Sequence, residues 1–169
     1  MITFWWVRHA PTHEKTFVGW RDVPADVSDT AALARLDAYL PREAAIISSD
    51  LSRCVATADA IQGSRQRLLH DPDLREFHFG DWDGKGWQEV AETHPDLSRA
   101  YWTTPGDPAP PGGESWYQAE ARIARAVARL RAAPPSPDVI VAAPLNGIRV
   151  TLRLSIFWAI TSPGVVPCE

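Results

Sequence analysis

The chain has 169 residues and a mass of 18.7 kDa, a length that fits one domain and buries about 70% of the surface exposed by the unfolded chain. With 45% hydrophobic and 22% charged residues, it lies near the average of folded globular domains, which excludes disordered, collagen-like and low-complexity classes. A net charge of −4, from 17 Lys+Arg against 21 Asp+Glu, disfavours nucleic acid and anionic membranes as partners, so any anion must meet a local cluster.

The opening segment, Met1-Ile2-Thr3-Phe4-Trp5-Trp6-Val7, is apolar, but Arg8-His9 interrupt it far short of the ~20 residues of a membrane span, and no cleavage-site pattern follows. It reads as a buried strand over residues 2–7. The two cysteines, Cys54 and Cys168, cannot form a disulfide framework, so a reducing, cytoplasmic setting is expected. A short helix is expected over 30–40 and a second buried strand over 44–49. Leu51, Val55, Ala58 and Ile61 then recur at helical spacing behind Asp50 as N-cap. Residues 66–70 read as a weaker strand. The stretch 75–87 carries Gly80, Gly84 and Gly86 among aromatics and reads as an irregular, tightly packed insertion. One or two helices are expected between Trp87 and Trp102, with Pro/Gly-rich loops at 103–113 and 134–137. Trp116, Ala119, Ile123, Val127 and Leu130 mark a longer helix, 138–143 a last buried strand, and a final helix should follow Asn146. Trp5, Trp6, Trp82, Trp87 and Trp116 are expected in the core or in pocket walls. Strands alternating with helices predict a layered α/β domain, 1–169, on a mostly parallel sheet.

In such sheets ligands bind beyond the carboxyl ends of the strands. The segments there are Arg8-His9-Ala10-Pro11-Thr12, Ser48-Ser49-Asp50-Leu51-Ser52-Arg53, Leu74-Arg75-Glu76 and Pro144-Leu145-Asn146-Gly147. Two arginines beside a helix N-terminus suit a phosphate group, because the guanidinium fork pairs two oxygens and the helix end adds N–H donors. A neutral imidazole in that cluster is a nucleophile for phosphorus, and a nearby carboxylic acid can protonate the leaving alcohol. These roles fall to His9 as nucleophile, Arg8 and Arg53 as clamp, and Glu76 as acid. Singly, each has a plainer reading, Arg53 as a solvated helix charge and Glu76 as a surface carboxylate. No clustered Cys/His ligands suggest a metal, and no cofactor is called for.

Order and context go further. Val7-Arg8-His9-Ala10-Pro11-Thr12 resembles the Arg-His-Gly motif of the histidine phosphatase superfamily, the phosphoglycerate-mutase-like fold, with Ala10 in the glycine position. Gly19-Trp20-Arg21-Asp22-Val23-Pro24 is similar to its Gly-x-x-Asp-x-Pro segment, and residues 48–58 to its second-arginine helix. Residues 74–84 are similar to its acid loop, and Gly112-Gly113-Glu114-Ser115 to the turn before its long helix. The resemblance implies a three-layer α/β/α sandwich with a mostly parallel central sheet and a phosphohistidine at His9. It also implies phosphate contacts from Arg8 and Arg53, proton donation by Glu76 and a place for Thr12 near the phosphate. The short acid-loop region resembles the small phosphatase branch that includes α-ribazole phosphatases.

One block departs. The family's last strand leads into a second histidine, and aligning Arg149 with the family's helix arginine puts Pro144 in that place. Proline has no side-chain donor, and removing one such donor costs roughly 10²–10³ in rate. Only nine residues follow Ile160, leaving little room for a further strand. A naturally degenerate homologue, an altered reading frame at the gene end, and compensation by His78, His13 or Asn146 all stay open. His78 lies two residues beyond Glu76 and shares its side if the backbone is extended. Trp20, Trp102 and Trp116 are candidates to stack on a leaving group. The expected activity is slow, metal-independent hydrolysis of a small phosphorylated metabolite. The rival is a phosphate-binding pseudoenzyme, with mutase activity third. A monomer or a homodimer is expected, with Phe157 and Trp158 as core or dimer surface.

Overall fold

The computed structural model describes residues 2–144 and the backbone of 159–160. Asn146, the helix expected after it, Phe157, Trp158 and Cys168 lie outside the described residues. The central sheet is parallel, in the order β3-β2-β4-β1-β5. Its strands are β1 (Thr3–Arg8), β2 (Ala45–Ser48), β3 (Gln66–Arg67), β4 (Asp138–Ala143) and β5 (Ala159–Ile160). The weak strand shrinks to two residues because His70 turns away: its ring contacts Ser48 and Arg67, and the chain leaves through an Asp71-capped 3-10 turn, Pro72–Leu74.

The apolar runs are continuous because the sheet is covered on both faces. Alternate side chains point to opposite sides. Phe4, Trp6, Ile47, Val139 and Val141 meet the long helix α5 (Trp116–Ala132) through Ile123, Val127 and Leu130, together with α3 (Trp87–Thr93) and α4 (Pro95–Thr103) through Val90 and Tyr101. Val7, Ile46, Ile140 and Ala142 meet α1 (Thr30–Tyr39) and α2 (Ser52–Ala60) through Leu33, Leu36 and Ala58. The result is the expected three-layer sandwich. Ser115 and Gln118 close a capping box at the start of α5, and Arg129 and Arg131 lie in its last turn, both favourable to helix ends.

Two expectations change. Asp50 does not cap α2; its carboxylate is taken by Arg75, at 2.7 and 2.5 Å, and the Ser52 N–H donates instead to Asp22 Oδ1 at 2.8 Å. Trp87 is not core: it is 57% exposed at the first position of α3, whereas Trp6, Trp82 and Trp116 are buried.

The 75–87 stretch is compact through glycine. Gly80 has φ +51°, and a Cβ there would meet the Pro111 carbonyl at 2.1 Å and the Gly113 nitrogen at 2.4 Å. Gly84 has φ +83° but open space, its nearest neighbour 3.9 Å away. Gly84→Ala should therefore cost only the left-handed backbone, about 1–2 kcal/mol, and Gly80→Ala clearly more, because two backbone segments must separate. Urea unfolding of the two variants measures the difference.

Candidate active site

Parallel pairing decides what lies beside what. Arg8, the last residue of β1, pairs with Ala143 at the end of β4, and the His9 N–H donates to the Ala143 carbonyl at 3.3 Å. Pro144, buried, is the next residue of β4's exit. The position aligned with a second histidine thus adjoins His9 at the carboxyl edge of the sheet, and carries no side-chain donor. Ser49 follows β2 on the same edge, its N–H on the Ala142 carbonyl at 3.2 Å.

His9 is held as a neutral imidazole. Its Nδ1 lies 2.7 Å from the Ala10 carbonyl, and since a carbonyl only accepts, the proton sits on Nδ1 and Nε2 keeps its lone pair. Burial pushes the imidazole pKa down from 6.5 to about 4; the Ala10 bond opposes the shift, and the nearby positive charges of Arg53 and Arg8 add to it.

The main chain after His9 is anchored in α2. The Ala10 N–H donates to Thr57 Oγ1 at 2.8 Å, and that hydroxyl donates to the Arg53 carbonyl at 2.7 Å. Arg53, in the first turn of α2, is 1% exposed. Its Nη1 donates to the Arg21 carbonyl at 3.1 Å and Nη2 to the Gly19 carbonyl at 2.7 Å, while Nε, also buried, has no partner. Gly19 must be glycine: a Cβ would stand 2.6 Å from the Phe77 carbonyl. The Gly19–Asp22 segment therefore bridges Arg53, the N-terminus of α2 and the loop that carries Glu76.

Glu76 is buried, and its Oε1 accepts from the Phe77 N–H at 2.9 Å. The Trp20 indole donates to the Glu76 carbonyl at 2.8 Å. Arg75 lies over the Trp20 ring at 5.0 Å and the His78 ring meets it edge-on at 4.4 Å. Trp20 thus holds the acid loop, its ring engaged by these two neighbours. His78 accepts the Gly80 N–H on Nδ1 at 3.0 Å. His13, at φ +58°, is exposed and pairs with Asp26 at 2.8 Å. Trp116 is buried and Trp102 stacks on Phe17 at 6.3 Å. Thr12 is half-buried after the His9 turn.

Arg8 is exposed and, with His13, Asp26 and Arg35, lines a cavity of about 550 Å³ whose other wall is the Leu33, Leu36 and Tyr39 face of α1. Cys54, beside Arg53, is held as the neutral thiol, since burial pushes its pKa up to about 12. Among the described residues no three His, Cys, Asp or Glu side chains cluster as metal ligands.

Sequence reasoning missed Thr57, Arg122 and Glu114. Thr57 lies one helical turn after Arg53, a spacing that signals a shared face. Arg122 holds the Asp73, Arg75 and Glu76 carbonyls, and Glu114 pairs with it.

The chain matches the model of the histidine phosphatase superfamily (branch 1) over residues 4–160. It is 34% identical over 143 residues to a protein of Mycobacterium tuberculosis named as bifunctional, covering 82% of this chain and 36% of that one. It is 34% identical over 103 residues to a metal-independent phosphoserine phosphatase of Arabidopsis thaliana, covering 59% of this chain and 43% of the relative. The chain thus spans well under half the length of these curated relatives. A putative α-ribazole-5'-P phosphatase from Escherichia coli shares the fold, with TM-score 0.77 at 21% identity over 90% of this chain and 79% of that one. With its Arg8-His9 turn, its α2 arginine and its acid loop assembled on one sheet edge, the chain belongs to the histidine phosphatase superfamily.

Proposed function

We propose that this protein hydrolyses a small phosphate monoester through a phosphohistidine at His9, without a metal ion. The observation that carries the reading is the half-buried, neutral His9 with its Nε2 lone pair kept available beside two arginines. Nε2 attacks phosphorus, the ester P–O bond breaks, and the leaving oxygen takes a proton from the Glu76 carboxylic acid. Water then attacks the phosphoryl group and gives its proton to the Glu76 carboxylate, the N–P bond breaks with its electrons returning to Nε2, and the starting state is restored. Arg8 and Arg53 balance the phosphoryl charge. Family relatives named as phosphatases support the class.

Pro144 favours a second reading, a module that binds phosphate with little or no turnover, because the position beside His9 gives no donor to the transferring group. Hydrolysis of p-nitrophenyl phosphate without added metal, compared between the parent and His9→Ala, decides between the two: activity abolished by the substitution supports the enzyme. Phosphate binding with a silent parent supports the module.

Two further outcomes follow from the geometry. Pro144→His should raise kcat/KM by about 10²-fold, the worth of one donor aimed at developing charge. In the free enzyme His9 remains neutral until about pH 4, so the acid limb of kcat/KM that belongs to His9 should lie near pH 4 rather than 6.5, as a pH–rate profile from pH 3.5 to 8 will read.

A further inference from the structure

We infer that the buried Arg122–Glu114 pair is the positioning unit of Glu76, setting where its carboxylic acid meets the leaving group; the inference rests on the reading of Glu76 as proton donor. Arg122, two helical turns into α5, is 6% exposed. Its Nη1 donates to the Asp73 carbonyl at 2.9 Å and the Arg75 carbonyl at 2.7 Å, and Nη2 donates to the Glu76 carbonyl at 2.8 Å. Nε and Nη2 also grip Glu114, at 3.0 and 2.6 Å. All five guanidinium N–H groups are thereby used.

The arrangement aims at one loop. Residues 75–79 lie between two single 3-10 turns, Pro72–Leu74 and Gly80–Trp82, so their carbonyls have no strand or long helix to receive them. Glu114 extends the grip past Glu76: its Oε1 accepts the His78 N–H and its own N–H donates to the His78 carbonyl, both at 2.8 Å. The pair thus fixes main chain before, at and after Glu76, and the Glu76 carbonyl is held from the other side by the Trp20 indole.

Stability alone explains this poorly. A buried ion pair roughly breaks even against apolar residues of the same volume, whereas only a planar fork reaches three loop carbonyls and a carboxylate together. Lysine keeps the charge and loses the fork.

General-acid catalysis matters in proportion to how poor the leaving group is. Phenyl phosphate releases a phenol of tyrosine-like acidity, pKa near 10, which needs the proton; 2,4-dinitrophenyl phosphate releases a far more acidic phenol, which does not. The test measures kcat/KM for both esters in the parent, Arg122→Lys, Glu114→Gln and Glu76→Gln, with folding checked by circular dichroism. The expected result is a loss on phenyl phosphate at least about tenfold greater than on the dinitrophenyl ester in all three variants. Should Arg122→Lys not fold, Glu114→Gln, which nearly preserves shape, decides alone. Equal losses on the two esters, no loss, or failure of both variants to fold overturn the inference. In those cases an active parent leaves the phosphatase reading standing. A parent silent on both esters overturns that reading and this inference together.

Discussion

A guanidinium taken out of water must place five N–H groups, and this fold is organised by where three arginines put theirs. Arg65 closes one end of the molecule: its donors go to the carbonyls of Asp37, Leu40, Pro41 and Ile61 and to the Asp37 carboxylate, joining the C-terminal ends of α1 and α2. Arg122 does the same for the acid loop. Arg53 differs. Two of its nitrogens rest on the carbonyls of Gly19 and Arg21, while Nε is buried with no acceptor. An unmet buried donor costs on the order of 1–3 kcal/mol. Arg65 and Arg122 are saturated, and Arg53 is not.

Much of the scaffold was legible because its signals are local or periodic. β1, β2 and β4 are unbroken apolar runs, and α5 carries its own capping box and an apolar stripe at helical spacing. His9, Arg8, Arg53 and Glu76 could be named because each follows a strand end or opens a helix. What escaped is governed by partners distant in sequence. Asp50 looked like a helix cap until Arg75, 25 residues on, claimed its carboxylate. Trp87 reads as core or pocket wall, but at the start of α3 it is 57% exposed, with its ring against Phe17 and Trp102. Arg122 is one of several arginines on α5, and only the folded loop reveals that it faces the carbonyls of Asp73, Arg75 and Glu76.

The candidate site draws on several parts of the sheet edge. Arg53 and the main chain after His9 are held by α2 and the Gly19–Asp22 bridge, whereas Arg8 and the His9 N–H pair with Ala143 of β4. Pro144, without a side-chain donor, adjoins His9 at the exit of β4.

The bond from His9 Nδ1 to the Ala10 carbonyl has a stereochemical corollary. Both ring nitrogens of a free histidine can carry a phosphoryl group, giving two isomers that differ in stability and in how they are recognised. Here Nδ1 is occupied by its proton and its acceptor. A phosphoryl group on His9 would therefore be confined to the Nε2 regioisomer, a selectivity set by the Ala10 carbonyl.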